Sequence, residues 1–358
     1  MIRYLLNKLF YAFITLIGVI AVIFFLFTIL PGDPAKMMLG QNQTAEQVDA
    51  VKQKYGFDKP IGTQFLYYIN DLSPISFHSS TPKDYTHLSA NKYTAKELFS
   101  FGNTTTVLKA PYLRESFTKQ GKKVTAVIGE TIPNTFVLAI SAILIAISLG
   151  VVFGIVSALY KDTWLDKTIQ VLSTLGMSVP SFFSAILFAW LFGFVLHRYT
   201  NLEMTGSLYE LDDFGEKMTI QWKNLILPAI VLGIRPLAVV IQLMRNSLLE
   251  VLNQDYIRTA RAKGLSEFQV IKNHAVKNAL NPVVTAISGW FASMLAGAVF
   301  VEYIFGWNGL GKEIVNALNT LDLPVIMGAV LVIAIIFITI NIFVDIIYAW
   351  LDPRVKLS

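Results

Sequence analysis

The sequence predicts an all-α polytopic membrane protein with six transmembrane helices. Three observations carry this. Hydrophobic residues make up 54% of the chain and charged residues only 15%, whereas a soluble domain carries about 25% charge. The mean hydropathy is +0.56. Six stretches are each apolar and long enough to cross about 30 Å of hydrocarbon, which takes about 20 residues. They run over 9–30, 132–160, 168–196, 224–244, 278–301 and 323–344.

The first stretch follows Arg3 and Lys8 and so resembles a secretory signal. A signal has an apolar core of about 7–15 residues, while Leu9 to Leu30 is uninterrupted and ends in Leu30-Pro31-Gly32-Asp33-Pro34, with no small-x-small cleavage site. It reads as a retained span. The second stretch contains Gly150 and Gly154, a GxxxG pair, and the fifth carries Gly289, Ser293 and Gly297 on one face. Both patterns let helices approach closely and read as packing within the chain. Pro180, Pro228 and Pro282 are expected to kink or interrupt the third, fourth and fifth spans.

Orientation follows from Lys and Arg in the short loops, which are retained on the cytoplasmic side. Segment 245–277 carries Arg245, Arg258, Arg261, Lys263, Lys272 and Lys277 against Glu250, Asp255 and Glu267 and is expected to be cytoplasmic. The loops 197–223 and 302–322 are acidic on balance and face outward. Six spans then put both termini inside, in agreement with Arg354 and Lys356 near the end. The domain reading is a cytoplasmic N-terminus and first helix over 1–30, an extracytoplasmic region over 31–123, a five-helix transmembrane domain over 124–351 containing the loop 245–277, and a cytoplasmic tail over 352–358. The net charge of +5 reflects this topology and anionic lipid headgroups, and gives no reason to expect nucleic acid as a partner.

Within the external region, Thr44 to Tyr55 reads as a short amphipathic helix closed by Gly56. Residues 71–123 are rich in Ser, Thr, Lys and Asn without clear periodicity, and read as either a small cap or a mobile loop. The chain has no cysteine, so no disulfide staples this region.

Sites of chemistry are hard to find. Gly306-Trp-Asn-Gly-Leu-Gly311-Lys312-Glu313 matches a phosphate-binding loop up to its last position, where Glu stands in place of the hydroxyl that would reach magnesium. His78, His87, His197 and His274 lack ligand spacing, and Asp212 and Asp213 sit in a solvated loop. The chain reads as a non-enzyme with no metal site. Intramembrane ions could mark an ion-coupled carrier, but only Arg235, beside Pro236, lies well inside a span. It either lines a polar pathway or meets a carbonyl or water inside the bundle. Glu302 and Asp345 lie near span ends, where snorkelling or helix capping accounts for them.

The most polar word between two apolar stretches is Asp255-Tyr256-Ile257-Arg258-Thr259-Ala260-Arg261-Ala262-Lys263-Gly264. Its outline is helix, break, helix. Gly264 can take the left-handed conformation that ends a helix, and Ser266 with Gln269 three residues later forms a capping box for the next. A basic helix at a membrane surface reads as a docking element. Arg258, Arg261 and Lys263 supply the charge, and Ala260 and Ala262 permit close approach.

Segment 254–266, followed by His274-Ala-Val-Lys-Asn-Ala-Leu-Asn-Pro282, resembles the cytoplasmic "EAA" loop of binding-protein-dependent ABC importer permeases, in the dipeptide, oligopeptide and nickel branch. Leu30 to Pro34, Gly56 to Pro60, Val301 to Gly311 and the ending Asp345 to Arg354 are similar, in the same order, to that branch's first permease subunit. Against the general importer pattern, Arg258 and Thr259 replace Glu-Ala, Asn308 replaces a proline, and 71–123 is longer. The resemblance implies a type I (MetI-like) permease fold in the bacterial inner membrane. The implied partners are a second homologous permease, two cytoplasmic ATPases and an extracytoplasmic substrate-binding protein. ATP and magnesium would be held by the ATPases and no cofactor by this chain. Peptides are the expected cargo, with nickel or another small solute as the alternative. An ion-coupled carrier and a non-transporting scaffold are the rival classes.

Overall fold

The computed structural model describes every residue except 1, 30–32, 40–42, 83, 90–91, 120, 213–214 and 352–358, with backbone alone at 2–5, 29, 296–297 and 347–351. Leu30, Pro31 and Gly32, and the tail with Arg354 and Lys356, therefore lie outside the described residues. The chain divides into two compact units, one built from Ile2–Thr131 with Glu313–Ile335 and the other from Ile132–Lys312 with the chain from Ile336 onward.

The first unit opens with α1 (Ile2–Ile29), then α2 (Pro34–Leu39), α3 (Ala45–Tyr55) and α4 (Ile61–Leu72). Helix α3 has the expected stop, with Gly56 at φ 71°, and a capping box in which Thr44 and Gln47 bond each other's backbone. Residues 71–123 are a folded region and not a loop. Strands β1 (Ile75–Ser79), β2 (Ala95–Phe101) and β3 (Thr104–Lys109) form an antiparallel sheet in the order β1-β3-β2. The pattern of β1 is inverted relative to an ordinary strand: Ser76 and His78 are buried while Ile75 and Phe77 are exposed, which hides it from an apolar-inside search.

The buried face of this sheet adjoins a polar cage around Asp71, itself fully buried. Asp71 accepts from Tyr85 at 2.6 Å, Tyr93 at 2.9 Å and the Arg114 Nε at 3.0 Å. A carboxylate needs this many donors to stay charged when buried. Lys92 lies 3.5 Å from the centroid of the Tyr85 ring, and burial pushes its ammonium down to about 8, the mark of a dry site.

The second unit shares α5 (Val124–Leu159) with the first and continues with α6 (Trp164–Ser178), α7 (Ser181–Phe188), a π-type turn Ala189–Val195 and α8 (His197–Thr200). A small hairpin, β4 (Tyr209–Leu211) with β5 (Met218–Ile220), precedes α9 (Lys223–Leu252). After it come α10 (Asp255–Ala262), α11 (Glu267–Val270), α12 (Val276–Ala279), α13 (Asn281–Gly297) and α14 (Val299–Phe305), then α15 (Leu310–Asn319) and α16 (Leu323–Leu351). The latter two are also divided between the units.

Among the described residues, four helices are long and apolar enough to cross a membrane alone: Leu6–Thr28 of α1, α5, α9 and Leu323–Ile346 of α16. The other two crossings are broken. Helices α6 and α7 meet at 108° at Val179-Pro180, and α13 and α14 meet at 57°. The count reaches six only when each bent pair is one span. Pro180 thus breaks its helix, as a proline without an N–H to donate can. Pro228 and Pro236 sit inside the continuous α9, and Pro282 opens α13 in its first turn, where its missing donor costs nothing.

The two small-residue patterns part company. A Cβ on Gly150 would lie 2.6 Å from Val240 Cγ1, and one on Gly154 would lie 2.6 Å from Met244 Cβ, so the α5 pair presses directly on α9. A Cβ on Gly289 would meet nothing within 4 Å, and Ser293 is exposed, so that face of α13 is open. Gly154→Val is therefore expected to lower the yield and melting temperature of detergent-purified protein sharply, while Gly289→Ala leaves both unchanged. Equal stability of the two variants would refute the packing assigned to α5 and α9.

Candidate functional site

The loop that joins α9 to α13 is a chain of short helical pieces set on an apolar base. Its first helix, α10, turns Ile257 and Ala260 inward, where they join Met244 and Leu248 of α9 with Val270, Ala275, Ala279 and Val283. Ala260 is therefore a core residue and offers no surface for close approach. Asp255, Tyr256, Arg258, Thr259, Arg261, Ala262, Lys263 and Gly264 are all exposed.

Local bonds fix the shape of that exposed face. Thr259 Oγ1 donates to the Asp255 carbonyl at 3.0 Å, and Arg258 lies 3.8 Å from Asp255. Arg261 grips Glu267 with two bonds, at 2.7 and 3.2 Å. Asn278 Nδ2 donates to the Tyr256 hydroxyl at 3.1 Å, tying α10 to α12. Gly264 has φ +78°, and a Cβ there would meet only open space, so the residue is dictated by backbone conformation and not by crowding. Ser266 and Gln269 form the capping box that restarts the chain as α11. A further residue, Phe268, is 72% exposed with the Lys272 ammonium 5.7 Å from its ring centroid. Its sequence signal was weak, since an apolar residue in a four-residue helix normally turns inward.

Arg235 stands apart from this loop, exposed on α9. Continuing down α9 at helical spacing, Gln242 is half-buried and Asn246 and Glu250 are exposed, which makes a polar stripe on a span. Below it, Arg245 is clamped by Asp166 of α6 through bonds of 2.8 and 2.7 Å. Asp166 also accepts from Ser157, so the pair is well satisfied.

The phosphate-loop-like segment proves to be a carboxylate site. Glu302 of α14 is fully buried. Its Oε1 accepts from Thr135 Oγ1 at 2.7 Å, and its Oε2 accepts the N–H groups of Gly311 at 2.6 Å and Lys312 at 3.2 Å. Those two N–H groups open α15, where a negative charge is favoured. Of the two roles expected of Glu302 at a span end, snorkelling does not fit its full burial, and the cap it forms is on α15, nine residues away, and not on its own helix. A Cβ on Gly309 would lie 2.4 Å from Glu302 Oε2, and one on Gly311 2.5 Å from Val299 Cα. The glycines thus make room for the chain's own carboxylate, which occupies the donors a phosphate would use.

Around this carboxylate the bonds continue. Leu310 N donates to Thr135 Oγ1 at 2.8 Å, Trp307 Nε1 to the Asn134 carbonyl at 3.0 Å, and Asn134 Nδ2 to the Asn308 carbonyl at 2.7 Å. Asn308 donates its own N–H to Ser207 Oγ at 3.1 Å, and Ser207 O accepts from Asn224 Nδ2 at 3.1 Å at the start of α9.

Residues 150–357 match the family described as binding-protein-dependent transport system inner membrane component, and residues 1–78 match that family's N-terminal region. The chain belongs to this family. It is accordingly a multi-pass inner-membrane component of a transport system that works with a binding protein. This permease is 34% identical over 360 residues to a protein of Brucella suis biovar 1 named as a peptide permease, covering 100% of both chains. It is 34% identical over 369 residues to the dipeptide transport system permease protein of Alkalihalophilus pseudofirmus, covering 99% of this chain and 100% of that one. A solved methionine ABC transporter, in an inward-facing form, aligns at TM-score 0.49 and 15% identity over 62% of this chain and 94% of its own.

The departure at Asn308 has a structural reason in this permease, because a proline there could not donate to Ser207. Glu302→Ala would strand three donors, each costing about 1–3 kcal/mol when buried, while Glu302→Gln keeps one acceptor for the two N–H groups. The expected order of thermal stability in detergent is wild type, then Glu302→Gln, then Glu302→Ala, with Gly309→Ala as damaging as Glu302→Ala. A Gly309→Ala protein that melts with wild type would sink the close approach.

Proposed function

We propose that this permease imports peptides, with a second homologous permease, two cytoplasmic ATPases that hold ATP and magnesium, and an extracytoplasmic binding protein that selects the cargo. The names of its full-length relatives support the cargo class. The observation that carries the coupling role is the two-faced build of α10. Its inner face is locked to α9 through Ile257 and Ala260, and its outer face is charged and exposed. A partner that grips Arg258, Arg261 and Lys263 therefore moves α9 with it. The basic balance of 245–277 supports a cytoplasmic side for this loop and, with six spans, for both termini.

In this reading ATP favours a closed ATPase dimer, and the closed dimer favours one arrangement of the spans. A ligand shifts such an equilibrium only through its differential affinity for the two states. Hydrolysis then resets the spans. Tagged full-length protein, purified in mild detergent, is expected to bring down an ATPase and a second permease, and to lose the ATPase when residues 255–264 are deleted. Gly264→Val is expected to leave the protein in the membrane while ATP hydrolysis no longer drives uptake. Uptake at the wild-type rate by that variant would remove Gly264 from the mechanism.

The polar stripe from Arg235 through Gln242, Asn246 and Glu250 is the proposed wall of the pathway. An arginine in mid-span is costly against lipid and is expected to face water or the bundle interior, where it can meet a peptide carboxylate. Arg235→Met should cut peptide uptake several-fold with the complex intact, and Arg235→Lys should restore most of it. Unchanged uptake by Arg235→Met would place the arginine outside the pathway.

A further inference from the structure

In the three-stranded sheet of the first unit, one face is buried over β1 and β3, at Ser76, His78, Val107 and Lys109, and the other carries a row of exposed apolar side chains. Its register aligns Ile75 with Leu108 and Lys96, and Phe77 with Thr106 and Phe99, while Phe101 pairs with Thr104 at the hairpin end. Opposed residues in antiparallel strands share a face, so these side chains form one surface. Ile75, Phe77, Phe99, Leu108 and Phe101 are all exposed, the last at 88%. Among the described residues of this face Lys96 is the one charge, and Glu97 pairs with Val107 on the other side. An apolar surface of this extent signals an interface.

Its position relative to α1 identifies the occupant. Helix α4 is held to α1 by Phe65, whose ring lies 5.1 Å from those of both Phe24 and Phe25, and by Tyr68 stacked on Phe24 at 5.6 Å. The apolar crossing of α1 ends at Thr28, so Phe24 lies about 6 Å inside that end at 1.5 Å per residue. Helix α4 therefore sits at the level of the bilayer boundary. Next to Phe65, Leu66 and Ile69 are exposed. Asn70 then pairs with the backbone of Phe77 through two bonds of 2.9 Å, which fixes the edge of β1 against α4. Leu66, Ile69, Ile75 and Phe77 line a groove of about 480 Å³. The apolar surface is thus continuous from the lipid-facing side of α1, through α4, to the sheet.

We propose that this sheet face, with Leu66 and Ile69, rests in the boundary of the leaflet at the C-terminal end of α1, with lipid as its occupant. Apolar side chains with a basic residue among them are the composition of interfacial elements, and Lys96 beside Leu108 meets a phosphate there. The inverted pattern of β1 follows, because the side of the sheet that faces lipid has to be the apolar one.

The chain has no cysteine, so single-site labelling is direct. Nitroxide would be attached to Phe99→Cys, Phe101→Cys and, on the opposite face of the same strand, Ser100→Cys. The full-length protein would be placed in nanodiscs of phosphatidylcholine and phosphatidylglycerol, and collisions with oxygen and with a water-soluble nickel chelate compared. Labels at 99 and 101 should favour oxygen several-fold over nickel, with the reverse at 100. The proposal is overturned if 99 and 101 are open to nickel, or become protected only when a binding protein is added, since the face then belongs to a protein partner. Two reporters on the face keep the test usable if one variant fails to fold.

Discussion

A carboxylate cannot remain in the interior of a membrane protein unless its oxygens are occupied, and Glu302 meets this condition by collecting donors from distant parts of the chain. Thr135 comes from α5 and the two N–H groups from the start of α15. Because each donor would be costly to strand, the carboxylate specifies where those elements lie. The bonds from Asn308 to Ser207 and from Asn224 to Ser207 extend the same constraint to the first turn of α9.

Helix α9 then runs about 45 Å at 1.5 Å per residue from this polar knot to the coupling loop. Its far end is fixed by different physics. Met244 and Leu248 are fully buried with Ile257 and Ala260 of α10, and Arg245 is clamped on Asp166. Gly150 and Gly154 bring α5 into direct contact along its middle. A close-packed interior transmits displacement instead of absorbing it, so a push on α10 in the proposed cycle reaches the spans through α9.

What the sequence made legible was what depends on neighbours in sequence. The spans followed from apolar length, and the helix, break, helix outline of 255–270 from Gly264 and the capping box of Ser266 and Gln269. Contacts between distant residues were not legible. Gly306 and Gly311 give the segment the spacing of a phosphate loop, while the carboxylate that crowds Gly309 and Gly311 is at 302, on another helix. Gly154 and Gly289 carry the same kind of pattern, yet only the first has a helix against it. Pro180 signalled a break but not an angle of 108°, which packing determines. Strand β1 was missed because its polar residues point inward to the Asp71 cage and its apolar ones outward.

Two surfaces of the second unit are poorly served by lipid. Arg235 and Gln242 put polar groups on the membrane-spanning part of the α9 stripe, and hydrocarbon gives them no partners. The open face of α13 at Gly289 and Ser293 has little side chain to fill space, so lipid tails would pack against it loosely, whereas another helix could approach it to backbone contact. Helix α13 packs along α9, which puts both features on adjoining helices. A second permease subunit answers both needs in the proposed assembly, since a helix seated on α13 would enclose the polar stripe of α9 between the two chains. The pathway would then form only on pairing, and an arginine that is a liability in an isolated chain becomes tolerable once water and cargo replace lipid around it.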